Sequence, residues 1–151
     1  MKEFTRRYLE SAIWSSTVLL PVPEDELVDV DIYGKCMNVD EEHQLYGISE
    51  CDFLDDHFTV EDFDKESLEK AEKDCDDFLY VIKSYGLYEK ALEYADDDRI
   101  AHDFWLTRNG HGAGFWDGDY GDSLGKTLTN ISKEFSEINI LVDNDGTLFF
   151  A

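Results

Sequence analysis

At 151 residues, with 42% hydrophobic and 14% aromatic side chains, the chain has the size and apolar mass of one folded domain, which argues against an intrinsically disordered polymer. Thirty-six acidic against 13 basic residues give a formal charge of -23. A surface of that sign repels nucleic-acid phosphates and anionic lipids, so direct nucleic-acid or membrane-surface binding is disfavoured and a basic protein is the natural partner.

In chain order, Phe4, Tyr8 and Ala12, with Leu9 and Ile13 beside them, predict an amphipathic helix over residues 3–14. Pro21 and Pro23 cannot extend it. From Glu24 to about Thr59 the pattern is poor, apart from Leu27, Val28, Val30 and Ile32 alternating with aspartates as a short strand would. Asp64 is a good N-cap and Gly86 a good stop for a helix running to Tyr85, whose apolar stripe is Leu68, Ala71, Cys75, Phe78 and Ile82. A second short helix is expected over Leu87 to Ala95.

Trp105 to Asp117 reads as a β-hairpin: two aromatic, β-forming arms flank Asn109-Gly-His-Gly112, where positive φ costs little. Its aromatic residues are Trp105, Phe115 and Trp116, with Arg108 and His111 beside them. Strand alternation would put apolar groups on both faces, which means either a buried sheet or an exposed patch for self-association. Leu124, Leu128, Ile131 and Phe135 then predict a helix from about Ser123 to Ser136 capped by Asp122. Ile138 to Val142 and Thr147 to Phe150, around Asp143-Asn-Asp-Gly146, give a closing hairpin. The expected architecture is therefore α+β: a small antiparallel sheet of C-terminal hairpins packed on amphipathic helices, in a single domain over residues 1–151.

Cys36, Cys51 and Cys75 are odd in number and lack CxxC spacing, which suggests reduced thiols rather than a disulfide framework or a cysteine zinc site. With no apolar run long enough for a signal or a membrane span, a cytoplasmic protein is expected.

The block Ala101-His-Asp-Phe-Trp-Leu-Thr-Arg-Asn-Gly-His-Gly-Ala-Gly-Phe-Trp-Asp117 resembles one found in small acidic proteins encoded by tailed bacteriophages. Looser likeness extends to Tyr8–Ser16, Cys75–Leu79 and the Asp145-Gly146 turn, about half the chain in all. An arginine often follows the Phe-Trp-Asp of that block, whereas here Gly118-Asp-Tyr-Gly-Asp122 follows. The resemblance implies a phage origin, with the host cytoplasm as its setting, and brings no reaction with it.

Two functional readings compete with self-association. In the first, Asp52, Asp55, Asp56, Glu61, Asp62, Glu66, Glu69, Asp76 and Asp77 form a phosphate-mimicking surface that occupies a basic host or phage protein, such as a DNA-binding or defence protein. B-form DNA carries about one charge per 1.7 Å of axis, and a helix rises about 1.5 Å per residue, so acidic residues along one helix approach that charge density. Lys65, Lys70 and Lys73 offset part of it. In the second, His102, His111 and Asp117, with Asp103 and Asp119 near them in sequence, form a metal or acid-base site, and Arg108 steadies an anionic substrate. Two lookalikes are set aside. Gly121-Asp-Ser-Leu-Gly-Lys-Thr127 is one residue short of a phosphate loop. Asp143-Asn-Asp-Gly146 lacks the remaining ligands of a calcium loop.

Overall fold

The computed structural model describes residues 1–16, 30–32, 35–37, 54–111, 113–143 and 145–151. The fold is α+β and mostly helical, with two-stranded antiparallel sheets. The chain divides into two compact units, one of Met1–Ala12 with Glu69–Ile138 and one of Ile13–Leu68 with Asn139–Ala151.

Helices form where caps and apolar spacing agree. Helix α1 spans Glu3–Ser15 and buries Tyr8, Leu9 and Ala12 completely. Helix α2 spans Lys65–Ser84, and the Asp64 carboxylate accepts the Ser67 N–H at 2.7 Å, the N-cap that its sequence predicts. Its buried stripe includes Ala71, Cys75, Phe78 and Ile82, and Gly86, at φ 68°, ends it. Helix α3 follows over Leu87–Leu92.

The predicted central hairpin is a helix. Residues Asp97–Arg108 form α4, capped by Asp96, whose side chain accepts the Arg99 N–H at 2.9 Å. The Asn109-Gly110 signal is real but ends a helix instead of turning a hairpin. Gly110 at φ 68° donates to the Thr107 carbonyl and His111 to that of Leu106, the paired bonds of a Schellman stop. Both motifs need positive φ at a glycine, so local sequence does not separate them. Phe115 and Trp116 lie in the following turns, not in a strand. Trp105 is 1% exposed and Phe115 is fully buried, so neither forms a surface patch; Trp116, at 37%, is partly open.

Helix α5 spans Asp122–Lys133. Its N-cap is Gly121, at φ 76°, not the expected Asp122, which lies inside the first turn. This disposes of the phosphate-loop likeness in physical terms. Gly125 is buried within α5 at a point where a Cβ would lie 2.5 Å from the Phe115 carbonyl oxygen, so its small size serves helix packing.

An aromatic column forms the core of this first unit. Phe78 stacks on Phe104 at 4.0 Å between centroids and 6° between planes. Tyr8 and Phe135 meet Phe104 from other directions at 5.3 and 5.0 Å, and Phe115 meets Phe78 at 6.0 Å.

In the second unit, strands β1 (Val30–Ile32) and β2 (Lys35–Met37) pair antiparallel, with Val30 opposite Met37. Leu27 and Val28, assigned to the same strand from sequence, lie outside the described residues. The closing hairpin is present as β3 (Ile140–Val142) and β4 (Leu148–Phe150), with Ile140 opposite Phe150. Gly146 takes φ 75° in its turn, and Asp143 N–H closes it on the Thr147 carbonyl at 2.8 Å. Asp64 N–H donates to the Leu148 carbonyl at 2.9 Å and the Ser67 hydroxyl accepts the Phe150 N–H at 2.9 Å, which fastens β4 to the start of α2.

Candidate functional site

Of the polar residues singled out in the central segment, His102, Asp103 and Arg108 lie on α4, and Asp103 and Arg108 are buried, whereas His111, Asp117 and Asp119 follow the helix. Arg108 is 2% exposed. Its guanidinium donates to Asp74 Oδ2 at 2.8 Å, Tyr8 Oη at 2.9 Å, and the Ser136 and Phe135 carbonyls at 3.0 and 2.7 Å. It also lies near the faces of Phe104 and Phe135, 5.9 and 5.7 Å from their centroids. A guanidinium so engaged ties α2 and the turn after α5 to α4, which corrects the expectation that it steadies an anionic substrate. Burial raises the Tyr8 hydroxyl well above the ordinary tyrosine range, so it is a neutral partner to the cation.

One helical turn earlier, Asp103 is fully buried. Both its oxygens lie 3.1 Å from Arg99 Nε, and Tyr120 Oη donates to Oδ2 at 2.8 Å. Burial raises the Asp103 carboxyl above its usual range, against the lowering effects of the Tyr120 hydrogen bond and the Arg99 charge. The other end of the Arg99 guanidinium meets Asp119 at 3.0 Å and Asp117 at 3.8 Å. Sequence reading missed this network, although the i,i+4 spacing of Arg99 and Asp103 was a legible clue to an ion pair.

His102 Nδ1 lies 2.9 Å from Ser11 Oγ. The Ser11 hydroxyl donates its one proton to the Arg7 carbonyl at 2.9 Å, so it accepts from the imidazole. A serine poised as a nucleophile needs the opposite arrangement, with its proton directed at the base. Burial lowers the His102 pKa and keeps the ring neutral at physiological pH.

His102, His111 and Asp117 thus have separate surroundings: His102 meets α1, His111 sits at the α4 stop, and Asp117 meets Arg99. Among the described residues, no group of three His, Cys, Asp or Glu side chains is placed to hold a metal ion. Cys75 is buried, and desolvation pushes its thiol above the ordinary range, which makes it unreactive.

The acidic residues fall into two kinds. On α2 the three aspartates are matched by lysines: Lys70 meets Asp74 at 3.1 Å, Lys73 meets Asp77, and Lys2 meets Asp76 at 2.7 Å. Glu69 is exposed on the same helix. Asp62 accepts the Thr59 N–H at 2.8 Å and so closes the 3-10 turn Val60–Asp62, which also carries the exposed Glu61. Asp55, Asp56 and Glu66 are exposed and make no ion pair among the described residues; Asp52 lies outside them.

The two units also differ in charge. The unit of Met1–Ala12 and Glu69–Ile138 holds 18 acidic and 11 basic residues, a formal -7. The unit of Ile13–Leu68 and Asn139–Ala151 holds 18 acidic and 2 basic residues, a formal -16.

No family model, curated protein or solved structure matches the chain. Among the described residues, no helix is long and apolar enough to cross a membrane.

Proposed function

We propose that this is a non-enzymatic phage-type protein of the host cytoplasm that binds a basic host or phage protein through its acidic surface. By presenting carboxylates where that partner expects phosphates, it acts as a DNA mimic that inhibits a nucleic-acid-binding or defence protein. The observation that carries the reading is the concentration of charge: 18 acidic against 2 basic residues in the unit of Ile13–Leu68 and Asn139–Ala151. Charge so little compensated costs the folded state self-repulsion, and a cationic partner relieves it. The aspartates of α2 contribute less than their number suggests, because lysines lie beside Asp74, Asp76 and Asp77. The hydrolase-like alternative loses its support at His102, His111 and Asp117, which occupy separate surroundings.

The test is affinity capture from a bacterial lysate at low and high salt, with identification of retained proteins by mass spectrometry. A nucleic-acid-binding protein should be retained, be released by added DNA or high salt, and be lost with the combined substitutions Asp55→Asn, Asp56→Asn and Glu66→Gln. Retention of no such protein would sink the proposal.

A further inference from the structure

Two copies of a chain charged -23 approach each other most readily where that charge is locally cancelled. The second half of α2, over residues 73–84, is such a place. Each aspartate there already has a cation beside it: Asp74 meets Arg108 and Lys70, Asp76 meets Lys2, and Asp77 meets Lys73. Lys83 lies over the Tyr88 ring, 4.8 Å from its centroid, and meets no carboxylate among the described residues.

The middle of this face is aromatic. Tyr80 is 74% exposed, as open as any large apolar side chain among the described residues. A helix turns about 100° per residue, so Lys73, Asp76, Asp77, Lys83 and Ser84 project within about 60° of Tyr80. Ala71, Cys75, Phe78 and Ile82 occupy the opposite, buried side.

The pattern is its own complement. When two antiparallel copies of α2 meet at Tyr80, positions equally far before and after it come level. With a rise of about 1.5 Å per residue, Lys83 of one copy stands about 4.5 Å beyond Tyr80, and Asp76 and Asp77 of the other stand about 6 and 4.5 Å before it. One ammonium thus comes level with two carboxylates, twice over in the pair. Lys73 bonds only Oδ2 of Asp77, which leaves Oδ1 to accept from it. The two Tyr80 rings meet at the axis, where offset stacking of aromatic faces is favourable.

We infer that this face of α2 binds the same face of a second copy of the chain, as an isologous antiparallel pair. The contact is about 18 Å long, so it belongs with the weak, reversible associations. It does not depend on the acidic-surface reading and responds to salt in the opposite sense. Salt releases a basic partner, whereas here screening relieves repulsion between two chains of one sign.

The test is sedimentation velocity on the full chain up to about 1 mM. A dimer should grow with concentration, and with salt from about 0.1 to 1 M. Tyr80→Ala should weaken it at least about fivefold. Tyr85→Ala should not, because Tyr85, also 74% exposed, stands about 140° further round. At about 0.15 M salt, Lys83→Glu should abolish self-association, and so should Asp76→Lys combined with Asp77→Lys. An equimolar mixture of these two variants should pair again, since each interface then joins opposite charges, a rescue that misfolding in either variant would not give. Melting curves verify that the variants fold, and Tyr80→Ala, at an exposed position, carries the test if a charge variant does not. A chain that stays monomeric to about 1 mM at the higher salt overturns the inference, whatever other protein the face captures. So does a dimer that Tyr80→Ala leaves intact, or a mixture of folded charge variants that stays monomeric.

Discussion

Asp103 has no solvent contact, and its two oxygens are served by Arg99 and Tyr120. Burial raises its folded pKa, so the folded chain retains a proton to higher pH than the unfolded chain does. Its contribution is therefore fully present below the ordinary carboxyl pKa and is lost as pH rises through the raised value. Asp103→Asn removes that dependence. Thermal melts across pH 4 to 7 should show the parent gaining on the variant as pH falls, by at most about 1.4 kcal/mol per pH unit. Parallel curves would show that the site holds its carboxyl no higher than the unfolded chain does. His102 acts in the opposite sense: its lowered pKa makes acid below the ordinary histidine range destabilising, and more so in Asp103→Asn, which lacks the Asp103 charge that partly holds the imidazole up, so this effect adds to the parent's gain.

At the scale of elements, α4 and α5 are kept close to the turns between them by glycines whose missing side chains make room. A Cβ on Gly114 would lie 2.5 Å from Thr107 Oγ1, the atom that accepts the Phe115 N–H at 3.0 Å. At Gly125 the clash is with the Phe115 carbonyl, which is backbone and cannot rotate away. Helix propensity favours alanine by about 1 kcal/mol, whereas overpacking costs about 1–3 kcal/mol. Gly125→Ala should therefore lower stability in denaturant titration despite its better propensity. A gain of about 1 kcal/mol would mean that α5 does not approach Phe115 so closely.

Element types were legible where one face is apolar and the other wet. The stripes of α1, α2 and α5 and the turn at Gly146 are of that kind. Helix α4 hid itself because Ile100, Ala101, Asp103, Phe104, Trp105, Leu106, Thr107 and Arg108 are all buried, so burial covers most of its circumference and leaves no 3.6-residue rhythm. The β-forming residues within it, Trp105 and Thr107, are overruled by packing.

For the whole molecule, a formal charge of -23 makes ionic strength a stability variable. Raising salt from about 0.01 to 0.15 M shortens the screening length from roughly 30 to 8 Å. The midpoint of thermal unfolding should rise over that interval, since repulsion among carboxylates is relieved more than isolated surface pairs such as Lys73 with Asp77 are weakened. A midpoint that falls with salt would place the balance with the ion pairs.

By itself the sequence determined the net charge, the helix caps at Asp64 and Gly86, the amphipathic stripes and the closing hairpin. Each depends on residues close together in the chain, or on composition alone. Tertiary structure alone decided that Asn109-Gly110 stops a helix, that Arg108 is an internal tie, and that His102 serves Ser11 while Asp117 serves Arg99. It also placed Lys2 against Asp76, whereas Lys70 with Asp74 and Lys73 with Asp77 are pairs four residues apart on one helix. The physical reason is common to these cases: a polar side chain acquires its role from the partner it meets, and here those partners are up to 100 positions away along the chain.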